Sequence, residues 1–162
     1  MYSMRRRFLA ACCALLSLLG ASCVSSQETP VTPEAKQLAA IETAVGTFVK
    51  AALDEDRDRA TAACVSRTAA LDEAFDYLPQ LGGAKKLRPV VVYADAKAAF
   101  AATSPITASD GWSCRLLFTL VKHDGEWLIS DIDIEEPEDA VKEIRRFTLQ
   151  NPGAQVLLVE HK

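Results

Sequence analysis

Histidine is nearly absent: the 162 residues hold two, His123 and His161. Cysteine is scarce too. Of the five, Cys12, Cys13 and Cys23 lie near the N-terminus, which leaves Cys64 and Cys114 for the rest of the chain. No His or Cys stands at metal-ligand spacing from either, which argues against a structural zinc site. Lys and Arg form no stripe beyond the N-terminus and the net charge is −4, so nucleic acid is not an expected partner. No cofactor is implied. The N-terminal apolar stretch, Phe8 to Leu19, is short for a membrane span.

What is present is an ordinary globular composition, 49% hydrophobic and 25% charged, in a length that suits one domain with a real core. The first residues fall outside that domain. Arg5 to Arg7 precede the apolar stretch, and Gly20, Ala21 and Ser22 follow it. This is the order of a secretory signal peptide, residues 1–22; a retained membrane anchor is the alternative. Cys23 comes next, and small residues before a Cys resemble the lipobox of bacterial lipoproteins, with Gly20 where that pattern usually carries Leu. The resemblance implies that Cys23 is acylated and becomes the mature N-terminus, exported and held in the cell envelope. "RRRFL" also resembles the twin-arginine export motif, so the export route stays open.

Loss of the first 22 residues would remove three arginines and no acid, leaving 15 basic against 22 acidic residues, net −7. An anionic membrane surface repels such a body, so attachment to the membrane would come from acyl chains. Residues 23–32 read as a polar tether.

The body opens with a helix. Thr32 suits an N-cap, Pro33 the first helical position, and Leu38, Ile41, Val45, Phe48, Val49 and Ala52 recur at helical spacing to about Leu53. After the acidic break Asp54 to Asp58, a short helix is expected near Arg59 to Ser66. A third is expected from Thr68 to Leu78, with Leu71, Ala74, Phe75 and Leu78 on one side. Beyond Pro89 the period changes. "VVVYA" and "AAFAATSPIT" are strand candidates, and Trp112, Cys114, Leu116, Phe118 and Leu120 share one face of a longer strand. His123-Asp124-Gly125 then turns the chain into Glu126 to Ile134, a hairpin. Cys64 and Cys114 both fall on apolar faces and are expected to be buried close together, as one disulfide or two free thiols.

Helices followed by antiparallel strands define an α+β class. The long first helix, the short helix after an acidic break and the hairpin "LVKHDGEWLISDIDIE" resemble the nuclear transport factor 2-like superfamily, which includes SnoaL-like and ketosteroid-isomerase-like proteins. The resemblance spans residues 33–135. It implies a curved antiparallel sheet wrapped around the N-terminal helices into a cystatin-like cone, often with a pocket. Phe75, Tyr77, Tyr93, Trp112 and Trp127 are the candidates to line such a pocket. Enzymes of the superfamily use a buried carboxylate with Tyr, Asp or His partners. Asp76, Tyr77, Tyr93 and Asp131 do not align to such a set.

Asp131 and Asp133 are the acids that end the hairpin. Strict alternation gives both strand faces a mixed character. A bulge near Ser130-Asp131 would put Ile132 and Ile134 on the Trp127 face and turn Asp133 outward. The acids are then expected in solvent, favouring the start of the last helix through its dipole. "DEDRDR" lacks the glycine and ligand spacing of a calcium loop.

Residues 136–162 form an extension, with Pro137 at a helix start, Val141, Ile144 and Phe147 along one side, and a short apolar strand in "AQVLLVE". Two functions are consistent with all this. One is a non-catalytic binding or assembly module tethered to the membrane, with a small apolar ligand, a protein or a second copy (a homodimer) as partner. The alternative is a small pocket enzyme of the ketosteroid isomerase or SnoaL type.

Overall fold

The computed structural model describes residues 32–81, 83–107 and 111–160. The expected signal peptide, Cys23 and the tether lie outside the described residues. Helix α1 runs Pro33–Leu53; the Thr32 side chain accepts the Ala35 N–H at 3.2 Å, and Pro33 occupies the first turn, where its missing donor costs nothing. Its buried face is Ile41, Ala44, Val45, Phe48, Val49 and Ala52.

Helix α2, Arg57–Ala62, begins earlier and ends sooner than expected. The Asp56 carboxylate caps it by accepting the Arg59 N–H at 3.0 Å. Its end is set by pairing: the Val65 N–H donates to the Ile129 carbonyl at 2.9 Å, and the Ile129 N–H to that of Ala63 at 3.0 Å. Helix α3, Ala69–Tyr77, is capped by Thr68 and buries Leu71, Ala74 and Phe75. Pro79 does not stop the chain beyond the helix but sits inside a 3₁₀ turn, Leu78–Gln80, at a position that needs no N–H donor.

The strands are β1 Pro89–Ala94, β2 Ala98–Thr103, β3 Ile106–Thr107, β4 Ser113–His123, β5 Glu126–Glu135 and β6 Gln155–Val159, with α4, Pro137–Gln150, before the last. They form one curved antiparallel sheet in the order β3-β4-β2-β1-β6, with β5 paired to β4. Among the described residues β5 and β6 do not meet, so the sheet stays open. The β4–β5 turn places Asp124 at φ 50° and Gly125 at φ 91°, the two left-handed residues of a tight hairpin matched to strand twist.

The expected bulge is present. Thr119 faces Asp131 and Leu120 faces Ile129, which leaves Ser130 as the extra residue; its hydroxyl donates to the Thr119 carbonyl at 3.1 Å. The slip brings Trp127, Ile129 and Ile132 onto one buried face, and it leaves Asp131 and Asp133 exposed. Without it, Ile132 would face away from the core.

Helices cover both faces of the sheet. Val92, Ala94, Ala99, Ala101, Leu116, Phe118 and Leu120 pack with the buried residues of α1 and α3. On the other face Phe100, Ala102 and Leu117 meet Ala140, Ile144 and Phe147 of α4, with the Phe100 and Phe147 rings 5.5 Å apart. This is why "AAFAAT" lacks polar alternation: both faces of β2 are covered, while in β1 Val92 faces the helices and Val91 and Tyr93 are half-buried beside the α4 cluster. Val141 is not on the packed side of α4. It is 65% exposed, because Ala140, Ile144 and Phe147 already fill the stripe against the sheet.

Strand β6 pairs antiparallel with β1, Val91 opposite Val159 and Tyr93 opposite Val156, so the C-terminal extension belongs to the same sheet. Arg88 clasps Glu160 at 2.5 and 2.9 Å where this pairing ends.

Candidate functional site

The place to look for a pocket is the space between the sheet and α1–α3. Apolar side chains fill it. Phe48 and Phe118 meet edge to face with centroids 6.1 Å apart, and Leu116, Leu120 and Ile129 beside them have no exposure. A cavity of about 10 Å³ lies instead among the helices, lined by Phe48 of α1, Arg57 of α2, Cys64, and Leu71, Asp72 and Phe75 of α3 among others. That is room for about one water.

An ionic brace lies at this cavity. The Arg57 guanidinium sits 4.3 Å over the Phe75 ring and donates to Asp72 at 2.7 Å and Asp76 at 2.5 Å. Arg67 donates to both Asp72 oxygens at 2.9 and 2.8 Å. The Arg67 hydrogen bond holds the Asp72 carboxyl below its ordinary range; desolvation opposes this and the Arg57 charge adds to it. Sequence reading missed this brace because Arg57 and Asp72 belong to different helices and share no local pattern. The acidic "DEDRDR" is absorbed by such contacts: Asp54 takes Lys50 at 2.6 Å and Asp56 caps α2. Among the described residues no group of His, Cys, Asp or Glu is placed to hold a metal.

Of the five candidate lining residues, Phe75 alone reaches the cavity. Tyr77 and Trp112 are half-buried and stack edge to face at 6.4 Å, with the Trp112 indole N–H 3.5 Å from Glu136. Trp127 is 6% exposed and lines an open surface groove of about 460 Å³ with Ala39, Thr43, Thr47 and Gly125. Tyr93 is a correction. Val92 and Ala94 point toward the helices, so Tyr93 between them lies on the opposite face, packed beside Phe100 and Phe147.

Cys64 and Cys114 are buried free thiols, one of the two states expected; their expected closeness is a second correction. Cys64 bridges to Ile129, which stands opposite Leu120, whereas Cys114 is six residues earlier on β4. At about 3.3 Å per residue the separation is roughly 20 Å, far past the reach of a disulfide at about 7 Å. Burial raises both thiols, Cys64 to about 11. The Cys64 thiol also donates to the Ala60 carbonyl at 3.2 Å.

The two acids of the hairpin stand outside the interior. Asp131 accepts the Ile132 N–H at 3.0 Å. Asp133, opposite Leu117, lies on the α4 side of the sheet. Burial is the main cause that raises its carboxyl above the ordinary value; the negative Asp131 and Glu143 add to this and Arg146 partly offsets it. Its neighbours Glu143 and Arg146 lie beyond the first turn of α4, so Asp133 does not serve the helix start. Glu138 and Asp139 occupy that first turn. His123 is exposed in the hairpin turn, 3.3 Å from Asp124.

No family model matches the chain. No curated protein matches it either. Among solved structures, a protein of unknown function from Mycobacterium tuberculosis aligns at 16% identity and TM-score 0.43, over 62% of this chain and 76% of the other. A putative calcium/calmodulin-dependent protein kinase II association domain from Xanthomonas campestris aligns at 18% identity and TM-score 0.41, over 67% and 92%. Likenesses of that size carry no argument about what this chain does.

Proposed function

We propose that this chain is an exported, lipid-anchored domain of the nuclear transport factor 2-like superfamily, and that it works as a non-catalytic binding or assembly module of the cell envelope. The superfamily reading rests on the long first helix, the short helix after an acidic break and the β4–β5 hairpin, on which the sequence resemblance was drawn, together with the open curved sheet that follows the helices. The anchor rests on the basic, apolar and small-residue succession before Cys23.

The observation that carries the non-catalytic reading is the filled interior. Phe48, Phe118, Leu120 and Ile129 occupy the space where an acid–base site would hold substrate, while Asp131 and Asp133 lie on the outer side of the sheet. A general base must come within hydrogen-bond reach of the proton it removes. Recognition on this reading uses the outer surface.

Cell fractionation tests the proposal. The wild-type chain is expected in the envelope membrane fraction, released by detergent and not by high salt, since acyl chains and not charge would hold it. Cys23→Ser is expected to leave that pool. Identical fractionation of the two would overturn the anchored reading.

A further inference from the structure

We propose that the outer groove between α1 and the 3₁₀ turn Ala84–Lys86 binds a monoanionic amphiphile, a carboxylate head on a short alkyl chain. The proposal rests on the reading of a binding module that recognises at its outer surface. It does not depend on acylation of Cys23.

The groove has a volume of about 460 Å³, in the usual range for a small-molecule site. Gly46, Val49, Lys50 and Leu53 line one side, Lys85 and Leu87 the other, and Asp54 closes the end. The α1 residues recur at helical spacing and form one strip along the helix. Val49 is buried, and Leu53 and Leu87 are half-buried against the core, so the floor is apolar. From Gly46 to Leu53 the helix rises about 10 Å, the length of an extended chain of about eight carbons.

Gly46 is a residue that the fold does not explain. It sits inside a 21-residue helix, where glycine is among the poorest formers. Packing does not call for it, because a Cβ built there would meet no atom within 4 Å. Its backbone does not call for it either, since its φ is not left-handed. What the missing side chain does is leave one end of the groove clear for an occupant.

Charge selects the head group. Asp54 accepts from Lys50 at 2.6 Å, and that hydrogen bond holds its carboxyl below the ordinary range, so it is ionised at neutral pH. Lys50 keeps donors to spare, because an ammonium carries three. The last-turn carbonyls of Lys50, Ala51 and Ala52 already accept the N–H groups of Asp54, Asp56 and Glu55 and do not compete for them. Lys85 makes no ion pair among the described residues, and the chain has no acid between Asp76 and Asp95. Two ammonium groups against one carboxylate leave a single positive charge over an apolar floor, which suits a carboxylate better than a phosphate dianion. Lys85 and exposed Lys86 are too few for an anionic bilayer, which is read by clusters of about four to eight basic residues. Arg88, the next base, is taken by Glu160.

The test uses the full chain in nanodiscs of zwitterionic lipid, with octanoate titrated in and shifts read residue by residue by nuclear magnetic resonance. Saturable shifts are expected at Val49, Leu53 and Leu87, with a Kd of order 0.1–1 mM. Octanol, of the same length without the charge, should bind at least about threefold more weakly. Lys85→Glu turns the net charge of the groove negative, so it should weaken octanoate at least about tenfold and bind octylammonium in its place. Gly46→Leu should keep or raise the denaturation midpoint, as a better helix former, and weaken octanoate at least about tenfold by filling the groove. Absence of saturable shifts there up to about 10 mM octanoate, equal binding of octanol, or octanoate binding unchanged in either variant overturns the proposal. So does the same shift pattern in anionic nanodiscs without octanoate, which would give the groove to a bilayer. Octanoate shifts confined to other surface residues overturn the groove and leave the binding-module reading standing, whereas shifts confined to Phe118 and Leu120 would contradict the filled interior as well.

Discussion

Phe48 of α1 and Phe118 of β4 meet edge to face, 6.1 Å between centroids and 75° between planes, in the middle of the space that a ligand would need. Both rings are at most 1% exposed. Phe118→Ala should cost about 3–5 kcal/mol in denaturant unfolding, since it removes a fully buried ring and leaves a cavity. A loss below about 1 kcal/mol would mean that the interior is already loosely filled.

Thr103 is a buried polar residue with a structural task. Its hydroxyl accepts the Leu116 N–H at 3.1 Å and lies 3.1 Å from the Ser104 carbonyl, where β2 gives way to the Ser104-Pro105 break before β3. Thr103→Val keeps the shape and orphans a buried donor, so it should destabilise by about 1–3 kcal/mol. Thr103→Ser, which retains the hydroxyl, should recover most of that. Equal losses for the two would assign the effect to packing.

Asp133 should make stability depend on pH in a definite direction. Its carboxyl is raised in the folded chain, chiefly by burial. Between the ordinary value near 3.8 and the raised one, the folded chain holds a proton that the unfolded chain has released. The contribution of this group to stability therefore falls as pH rises through that window, and stays lower above it. Asp133→Asn is expected to gain on the order of 0.5 kcal/mol at neutral pH, because the group still meets solvent, and to gain nothing well below the window. Urea titrations of both proteins at acid and neutral pH measure the difference. A variant less stable at neutral pH would contradict the assignment.

The buried thiols give a count. With Cys64 and Cys114 free, buried and raised, neither is a ready nucleophile at neutral pH. Titration with a thiol reagent should find two more reactive groups after unfolding than before, under non-reducing conditions. No increase would indicate that the pair is bridged or already accessible.

The hairpin was legible because it is local. Alternation from Trp112 to Leu120, the Asp124-Gly125 turn and the returning apolar run all lie within a short span. Even its bulge could be foreseen, since mixed faces around Ser130 left no other way to bury Trp127, Ile129 and Ile132 together. Features set by distant parts of the chain were not legible. Tyr93 was expected inside because nothing in "VVVY" shows that α4 covers the second face of the sheet. The Cys64–Cys114 pair was expected together because both positions are apolar, yet their separation is set by where α2 meets β5 along the hairpin. The Arg57–Asp72 contact joins two helices through an arrangement that no spacing encodes.

Intact-mass analysis of the chain extracted from the envelope membrane fraction tests the anchored reading most directly. The expected species begins at Cys23 and carries the added mass of acyl chains on that residue, and it is lost in Cys23→Ser. A mature chain with an unmodified N-terminus, or one that still retains residues 1–22, would contradict the account.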